Sequence, residues 1–489
     1  MADAMRGIGG AMAGVVIALL ISACSLAPPL EVPQIPTADA YKELGPWTRA
    51  QPADRLARDS WWTLYDSEEL DDLEKRLIDG NPTLAAALAN YAQARALAQQ
   101  ARAGLFPTLS ANGGVSRGRE SAHAPLILPT TPRYFDDNTV GGSISYELDL
   151  WGQIRNEVIE GEANAAASAA DLENARLSLM AQLVDDYVLL RSLDRESVIL
   201  ADTVEAYARA LSITERRHHA GITPGLDVAQ AETQLDAARS QAQQTLAQRA
   251  LMEHAIAALL GISASTFSIK PGIVAIALPQ IPTGIPTTLL QRRPDIAAAE
   301  RRMMAANANI GVARTAFFPS LTLGASGGFQ STAFSNWLSA PSSYWALGPS
   351  ALLTIFDGGL RRAQVAQARA EFDAAAADYR GIVVAAFQQV EDDLAELNHY
   401  YDAAQQEKAE VDAAQRALNL SMALYVQGAA DYLSVVTSQT ALLQAQLQAL
   451  NLDTMQLQAN VDLVRALGGG WSDGRLPKGK MDAKLQAGA

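Results

Sequence analysis

The sequence predicts a mainly α-helical chain with a β-barrel part, built from two internal repeats, and three observations carry that prediction. Two proline-free stretches, Gln153 to Ala220 and Gly359 to Gln427, are each long enough for a helix of about 100 Å at about 1.5 Å per residue. Each half also holds two short stretches of alternating polar and apolar residues, the period of a strand with one apolar face. Finally, the landmarks recur in register. Phe106-Pro107-Thr108-Leu109-Ser110 is answered by Phe318-Pro319-Ser320-Leu321-Thr322, Asp149-Leu150-Trp151-Gly152 by Ile355-Phe356-Asp357-Gly358, and the turn at Gly221 by the one at Gly428. The period is far too long for a small solenoid unit.

In chain order, Arg6 and the apolar run from Ile8 to Ile21 have the composition of a signal peptide over residues 1–23 and are too short to span a bilayer comfortably. The run ends in Ile21-Ser22-Ala23-Cys24, which resembles the lipobox of bacterial lipoproteins, so Cys24 is expected to carry lipid. It is the only cysteine among 489 residues, which excludes a disulfide within the chain. Ser25 in the next position resembles the sorting signal for the outer rather than the inner membrane. Residues 24–60, with Pro28, Pro29, Pro33, Pro36, Pro46 and Pro52, read as an extended tether able to reach about 100 Å.

The first repeat, 61–261, opens on Trp61-Trp62 and a helical pattern from Ser67 to Asp79. Asn81-Pro82-Thr83-Leu84 then starts a helix with the seam Leu84, Ala87, Tyr91, Ala94, Ala98, Ala101 and Leu105, alternating steps of three and four. Strands are expected from about Thr108 to Ser116 and Val140 to Trp151. In the second, Ile144, Tyr146, Leu148 and Leu150 share one face while Ser143, Ser145, Glu147 and Asp149 share the other. In a closed barrel, Glu147 and Asp149 would line the lumen and favour cations. The long helix, the turn at Gly221 and a return helix from Leu226 to Leu260 complete the repeat.

Residues 262–292 form a linker, and the second repeat, 293–467, runs through the same parts before a tail at 468–489. Pro294 and Asp295 suit a first helical turn, and Ile296, Ala299, Met303, Ala306, Ile310, Ala313 and Phe317 make a coiled-coil seam that Pro319 stops. Strands follow at about Ser320 to Gln330 and Trp345 to Phe356, then the second long helix, the turn at Gly428 and a return helix from Tyr432 to Leu467.

Four strands per chain leave two open edges, and a sheet that spans lipid must close, so several chains are expected to complete one barrel. Two copies would give eight strands filled by side chains; three would give twelve with room for a passage, and three is the preferred count. Two short helices stacked end to end match one long one, and the alanines from Ala163 to Ala170 and Ala374 to Ala377 allow close packing into a tall α-barrel. A long soluble coiled-coil spacer is the plainer alternative and leaves the β pairs unexplained.

Enzyme chemistry finds little support. His218 and His219 point about 100° apart on a helix and cannot share a metal unaided. Asp185-Asp186 and Glu391-Asp392-Asp393 read as hydrated helix faces, and Gly324 to Gly328 lacks the lysine of a phosphate loop. No cofactor or metal is implied, and a net charge of −15 argues against a nucleic-acid partner.

Taken together, Asn81-Pro82-Thr83-Leu84, Phe106-Pro107, Asp149-Leu150-Trp151-Gly152, Gly221-Ile222-Thr223-Pro224-Gly225-Leu226-Asp227, Arg293-Pro294-Asp295-Ile296, Phe318-Pro319, Asp357-Gly358-Gly359 and Gly428-Ala429-Ala430-Asp431-Tyr432-Leu433 resemble the TolC-like outer-membrane efflux factor family. Cys24 and Trp61-Trp62 are similar to its lipoprotein branch, which serves pumps of the resistance-nodulation-division (RND) type. The resemblance implies a homotrimer: a twelve-stranded transmembrane barrel continuous with a long periplasmic α-helical barrel. Its partners would be a periplasmic adaptor, an inner-membrane RND pump and the lipid of the outer membrane. Asp431 and Tyr432 would form the periplasmic gate, while Gly221, Thr223, Pro224, Gly225, Asp227, Gly428, Ala429 and Leu433 would form the adaptor-contacting tips. Asp227 reads first as a helix cap, whereas Asp431, on the inner turn, reads as the gate. An exit duct for metal efflux or protein secretion, a lipid-anchored spacer and an envelope hydrolase are the other readings, and no methionine cluster or aromatic cage singles out a cargo.

Overall fold

The computed structural model describes residues 25–33, 35–36, 40–43, 60–121, 133–279, 281 and 292–471. The signal segment, Cys24, parts of the Pro-rich stretch and linker, and the tail beyond Trp471 lie outside these described residues.

The first two helices begin where the sequence supplies a cap. After the short turn Trp61–Tyr65, α1 (Glu68–Gly80) starts on Ser67, whose hydroxyl accepts from Leu70 N, with Glu68, Glu69 and Asp71 in its first turn. Helix α2 (Pro82–Ala103) starts on Asn81, whose side chain accepts from Leu84 N. The expected seam from Leu84 to Ala101 is the least exposed face of α2, with Ala98 buried.

The two long helices, α3 (Gln153–His219, 67 residues) and α6 (Leu360–Gln427, 68 residues), are unbroken. Each is about 100 Å long. Their return partners are α4 (Gly225–Leu259) and α7 (Tyr432–Ala466). Helix α5 (Pro294–Thr315) is buried on several faces between α3 and α6, so its interior extends beyond the single seam expected. Phe317 lies past the end of α5 and is exposed, so it is not part of that seam.

One antiparallel sheet in the order β1-β2-β3-β4 comprises β1 (Thr108–Arg119), β2 (Tyr134–Glu147), β3 (Ser320–Ser331) and β4 (Ser343–Leu352). The rows Leu109, Ile144, Ala325, Leu347 and Tyr146, Leu323, Pro349 run across one face. The other carries Ser110, Ser143, Ser326, Ala346 and Thr108, Ser145, Gly324, Gly348. The apolar row is open to its surroundings: Leu109 is 76% and Leu347 75% exposed. Among the described residues, β1 and β4 have no partner strand on their outer edges.

Strand ends differ from expectation. β1 continues to Arg119 because charged and aromatic cross-strand pairs, Arg117 opposite Asp136 and Arg119 opposite Tyr134, take over where the apolar alternation stops. β2 ends at Glu147 and β4 at Leu352, short of the expected Trp151 and Phe356, because the chain turns there toward the long helices.

The main core sits midway along the helices. Trp61, Trp62, Tyr65, Leu70 and Leu77 pack on Leu183, Tyr187 and Leu190 of α3, Val383 and Val390 of α6, and Val461 of α7. A buried ion network fastens the linker there: the Asp194 carboxylate accepts from Arg191 Nη1 (2.8 Å), Arg249 Nε (2.7 Å) and Gly272 N (3.2 Å).

The described part of the Pro-rich stretch is a strap rather than a free tether. Ser25 Oγ donates to Asn156 Oδ1 (3.1 Å), Leu26 O accepts from Arg314 (2.9 Å) and Pro28 O accepts from Asn307 (3.0 Å). Gly311 makes the seat, since an added Cβ would come within 3.0 Å of Ala27. Farther on, Lys42 N and Glu43 N donate to the Glu391 carboxylate at 2.9 and 3.0 Å. A chain short of N–H groups still has carbonyls to satisfy, and long polar side chains from the helices reach them.

Among the described residues no helix is long and apolar enough to cross a membrane. The apolar surface fit for lipid belongs to the sheet.

Candidate conduit and helix tips

Where β2 ends, Asp149 is not in the strand face that carries Glu147. Its carboxylate accepts from Ile154 N (3.1 Å), Arg155 N (3.0 Å) and Arg155 Nε (3.0 Å). Asp357 does the same for α6, accepting from Gly359 N at 2.9 Å and from Arg361, which holds its carboxyl below the usual range. Asp149 is therefore a helix cap with its charge paired by Arg155, off the strand on which the sequence placed it. Glu147 remains on the polar side, opposite Thr322. Trp151 stacks on Phe318 at 4.6 Å and donates to Pro319 O at 2.8 Å, joining the repeats at the junction of sheet and helices.

At the opposite ends of the helices the two turns come together. Gly221 (φ 73°) and Gly428 (φ 78°) take the left-handed conformation that closes a helix. Ile222 N reaches back to Arg217 O (2.9 Å), and Ala429 N to Leu424 O (2.9 Å). Thr223 O meets His218 Nδ1 at 2.8 Å, so that histidine is engaged in the turn. Pro224 precedes α4 without a side-chain cap, and Gly225 opens the helix. Asp227 sits in the first turn without capping it. Its carboxyl is pushed up by partial burial and by the charge of Asp431, against the pull of Arg217.

The capping role expected of Asp227 belongs to Asp431. Asp431 accepts from Ser434 N (3.1 Å) and Ser434 Oγ (2.6 Å), and those bonds hold its carboxyl low. Tyr432 beside it is 1% exposed, its hydroxyl pushed up to about 12 by burial, and its ring meets Tyr425 edge-on at 5.1 Å. Leu433, Ile222 and Leu226 are exposed at the tips.

Arg217 is a tip residue that sequence reasoning did not find. It lies 4.8 Å over the Tyr425 ring and donates to Val426 O at 2.9 Å, pinning the first-repeat hairpin to the second. Its only sequence signal is a basic residue in the last turn of a long helix, which is common.

Midway along the helices, Asp185 of α3 and Asp393 of α6 converge on Asp462 and Arg465 of α7, a pair 2.6 Å apart. Burial first, then the Asp462 charge, pushes both carboxyls up to about 8. These acids are thus partly withdrawn from water, not a hydrated face, and Glu391 holds the strap. No group of three or more His, Cys, Asp or Glu suited to a metal occurs among the described residues.

Comparison with known proteins supplies the identity. A family profile described as outer membrane efflux protein matches residues 73–262 and 285–469, one segment on each repeat. Outer membrane protein OprJ of Pseudomonas aeruginosa is 31% identical over 474 residues, covering 96% of this chain and 98% of that protein. Antibiotic efflux pump outer membrane protein ArpC of Pseudomonas putida is 32% identical, covering 93% and 94%. The solved outer-membrane channel OprN superposes with a TM-score of 0.85 at 28% identity, covering 92% of this chain and all of that one (100%). The open-state MtrE outer membrane channel of Neisseria gonorrhoeae superposes at 0.80 with 25% identity, covering 92% and 99%. Two matched segments, near-complete coverage and a shared sheet-and-long-helix architecture place this chain in the outer membrane efflux protein family.

Proposed function

We propose that three copies of this outer-membrane efflux channel close twelve strands into one barrel, which forms the passive exit duct of a tripartite pump. Small toxic compounds such as drugs or solvents enter at the periplasmic end, delivered by an inner-membrane RND pump through a periplasmic adaptor. The observation that carries the reading is a four-stranded sheet, apolar on one side and polar on the other, with both edges unpaired and continuous with helices of about 100 Å. Closing those edges with neighbouring copies puts the Ser- and Thr-rich side inward, as a watery passage requires.

Asp431 and Tyr432 form the gate in this reading, and the Gly221 to Asp227 and Gly428 to Leu433 turns receive the adaptor. Three Asp431 carboxylates around an axis repel one another, so splaying the helices relieves that repulsion. Cys24 carries the lipid, and cargo choice belongs to the pump.

Purified protein in a planar bilayer tests this. Ohmic conductance from trimers is expected, with restored drug resistance when the chain is expressed beside its adaptor and pump. A trimer that conducts under no condition, or a monomer that conducts alone, overturns the reading.

A further inference from the structure

The outward side of the sheet does not stay apolar to its far end. Along β1, the residues on that side are Leu109, Ala111, Gly113 and Val115, and then Arg117 and Arg119. Opposite them in β2 stand Ile144, Gly142, Val140 and Asn138, and then Asp136 and Tyr134. Both arginines are exposed, at the end of the hairpin remote from the helices and hence on the exterior side of the membrane.

Height follows from geometry. At about 3.4 Å per residue and a strand tilt of about 40°, Arg117 stands about 20 Å above Leu109, near the top of an apolar band about 25 Å tall. The guanidinium groups therefore emerge among headgroups and not in hydrocarbon. Arg119 lies 5.4 Å over the Tyr134 ring, and no carboxylate pairs with it among the described residues. Arg117 Nε is 3.7 Å from Asp136, too long for a hydrogen bond, with the arginine side chain 77% exposed.

The second hairpin offers no counterpart, since from Phe317 to Phe356 there is no Asp, Glu, Lys or Arg. The positive charge on the lipid-facing side is thus confined to the tip of the first hairpin. Such placement suits one occupant: a lipid whose acyl chains run along Leu109, Val115 and Val140 and whose phosphate rises to the arginines. Arginine's planar fork matches phosphate oxygens with paired, charge-assisted hydrogen bonds, and tyrosine is at home at that depth.

We propose that Arg117 and Arg119, backed by Tyr134, bind the phosphate of an anionic lipid in the outer leaflet. Asp136 is the opposing charge that sets how tightly the phosphate is held.

Full-length trimer in phosphatidylcholine nanodiscs, titrated with lipid A or with its dephosphorylated form, tests this by native mass spectrometry of the bound copies. The parent protein retains lipid A and releases the dephosphorylated form. Arg117→Gln with Arg119→Gln weakens retention about thirtyfold, the effect of two arginines at an anionic surface, while Asp136→Asn strengthens it. Equal retention of the two lipids, unchanged retention by the double glutamine variant, or release of lipid A by millimolar inorganic phosphate overturns the lipid-phosphate site.

Discussion

Asp194→Ala is the substitution with the sharpest expected consequence away from the passage. Its carboxylate is 4% exposed and serves two guanidiniums that are themselves buried, Arg191 at 3% and Arg249 at 9%. Arg191 also donates to Lys270 O (3.0 Å) and Arg249 to Ile269 O (2.6 Å), so the same three side chains hold the linker against α3 and α4. Removing one partner of a buried ion pair costs about 3–5 kcal/mol. Glu69 still pairs with Arg191 and Glu253 with Arg249, which puts the loss at the lower end, about 3 kcal/mol. Expressed as local opening of the linker, that is roughly a hundredfold rise in the opened population. Thermolysin cleavage before the exposed Ile273 reads it directly, because cleavage follows the open fraction when reclosing is fast. Asp194→Asn keeps one accepting oxygen and should fall between parent and alanine. Cleavage of Asp194→Ala at the parental rate would refute the claim that this network fastens the linker.

Three further outcomes are expected. Asp185 and Asp393 have folded pKa values of about 8, above their ordinary 3.8, so their contribution to stability is complete below pH 4 and is lost as pH rises toward 8. Thermal melting of the trimer should accordingly fall between pH 5 and 8.5, and Asp185→Asn with Asp393→Asn should flatten that slope. At the tips, Asp431→Ala should raise adaptor-free conductance. Arg217→Ala should do so too, by releasing Tyr425 and Val426; closed-like conductance in both would remove this pair of contacts from gating. In the barrel, Glu147→Gln should lower cation selectivity, seen as a shifted reversal potential in a salt gradient, whereas Asp149→Asn should leave selectivity unchanged.

What the sequence disclosed was governed by local rules. The repeat, the unbroken length of α3 and α6, the faces of the strands and the glycines of both turns follow from period, proline placement and positive φ. Strand ends were less legible because Arg117 opposite Asp136 extends pairing after the apolar signal has stopped, and because Asp149, which keeps the strand alternation in sequence, is drawn off to cap α3. At the tips both acids stand near a helix start, and the structure makes Asp431 rather than Asp227 the side-chain cap. Asp431 has a serine three residues on that completes the cap, while Asp227 has leucine before it and a proline as the preceding cap residue. The convergence of Asp185, Asp393 and Asp462 depends on the crossing of three helices distant in sequence, which no local pattern encodes.

The N-terminal strap turns anchoring into a matter of depth. Ser25 is fixed on Asn156, within the first turn of the helix that begins directly below the sheet. An acyl chain on residue 24 would then enter the inner leaflet one residue from a point rigidly tied to the barrel's rim. Lipidation at that point lengthens no reach. If Cys24 carries lipid as proposed, the anchor would work as a gauge, resisting any rise or sinking of the channel when a pump assembly pushes or pulls along its axis.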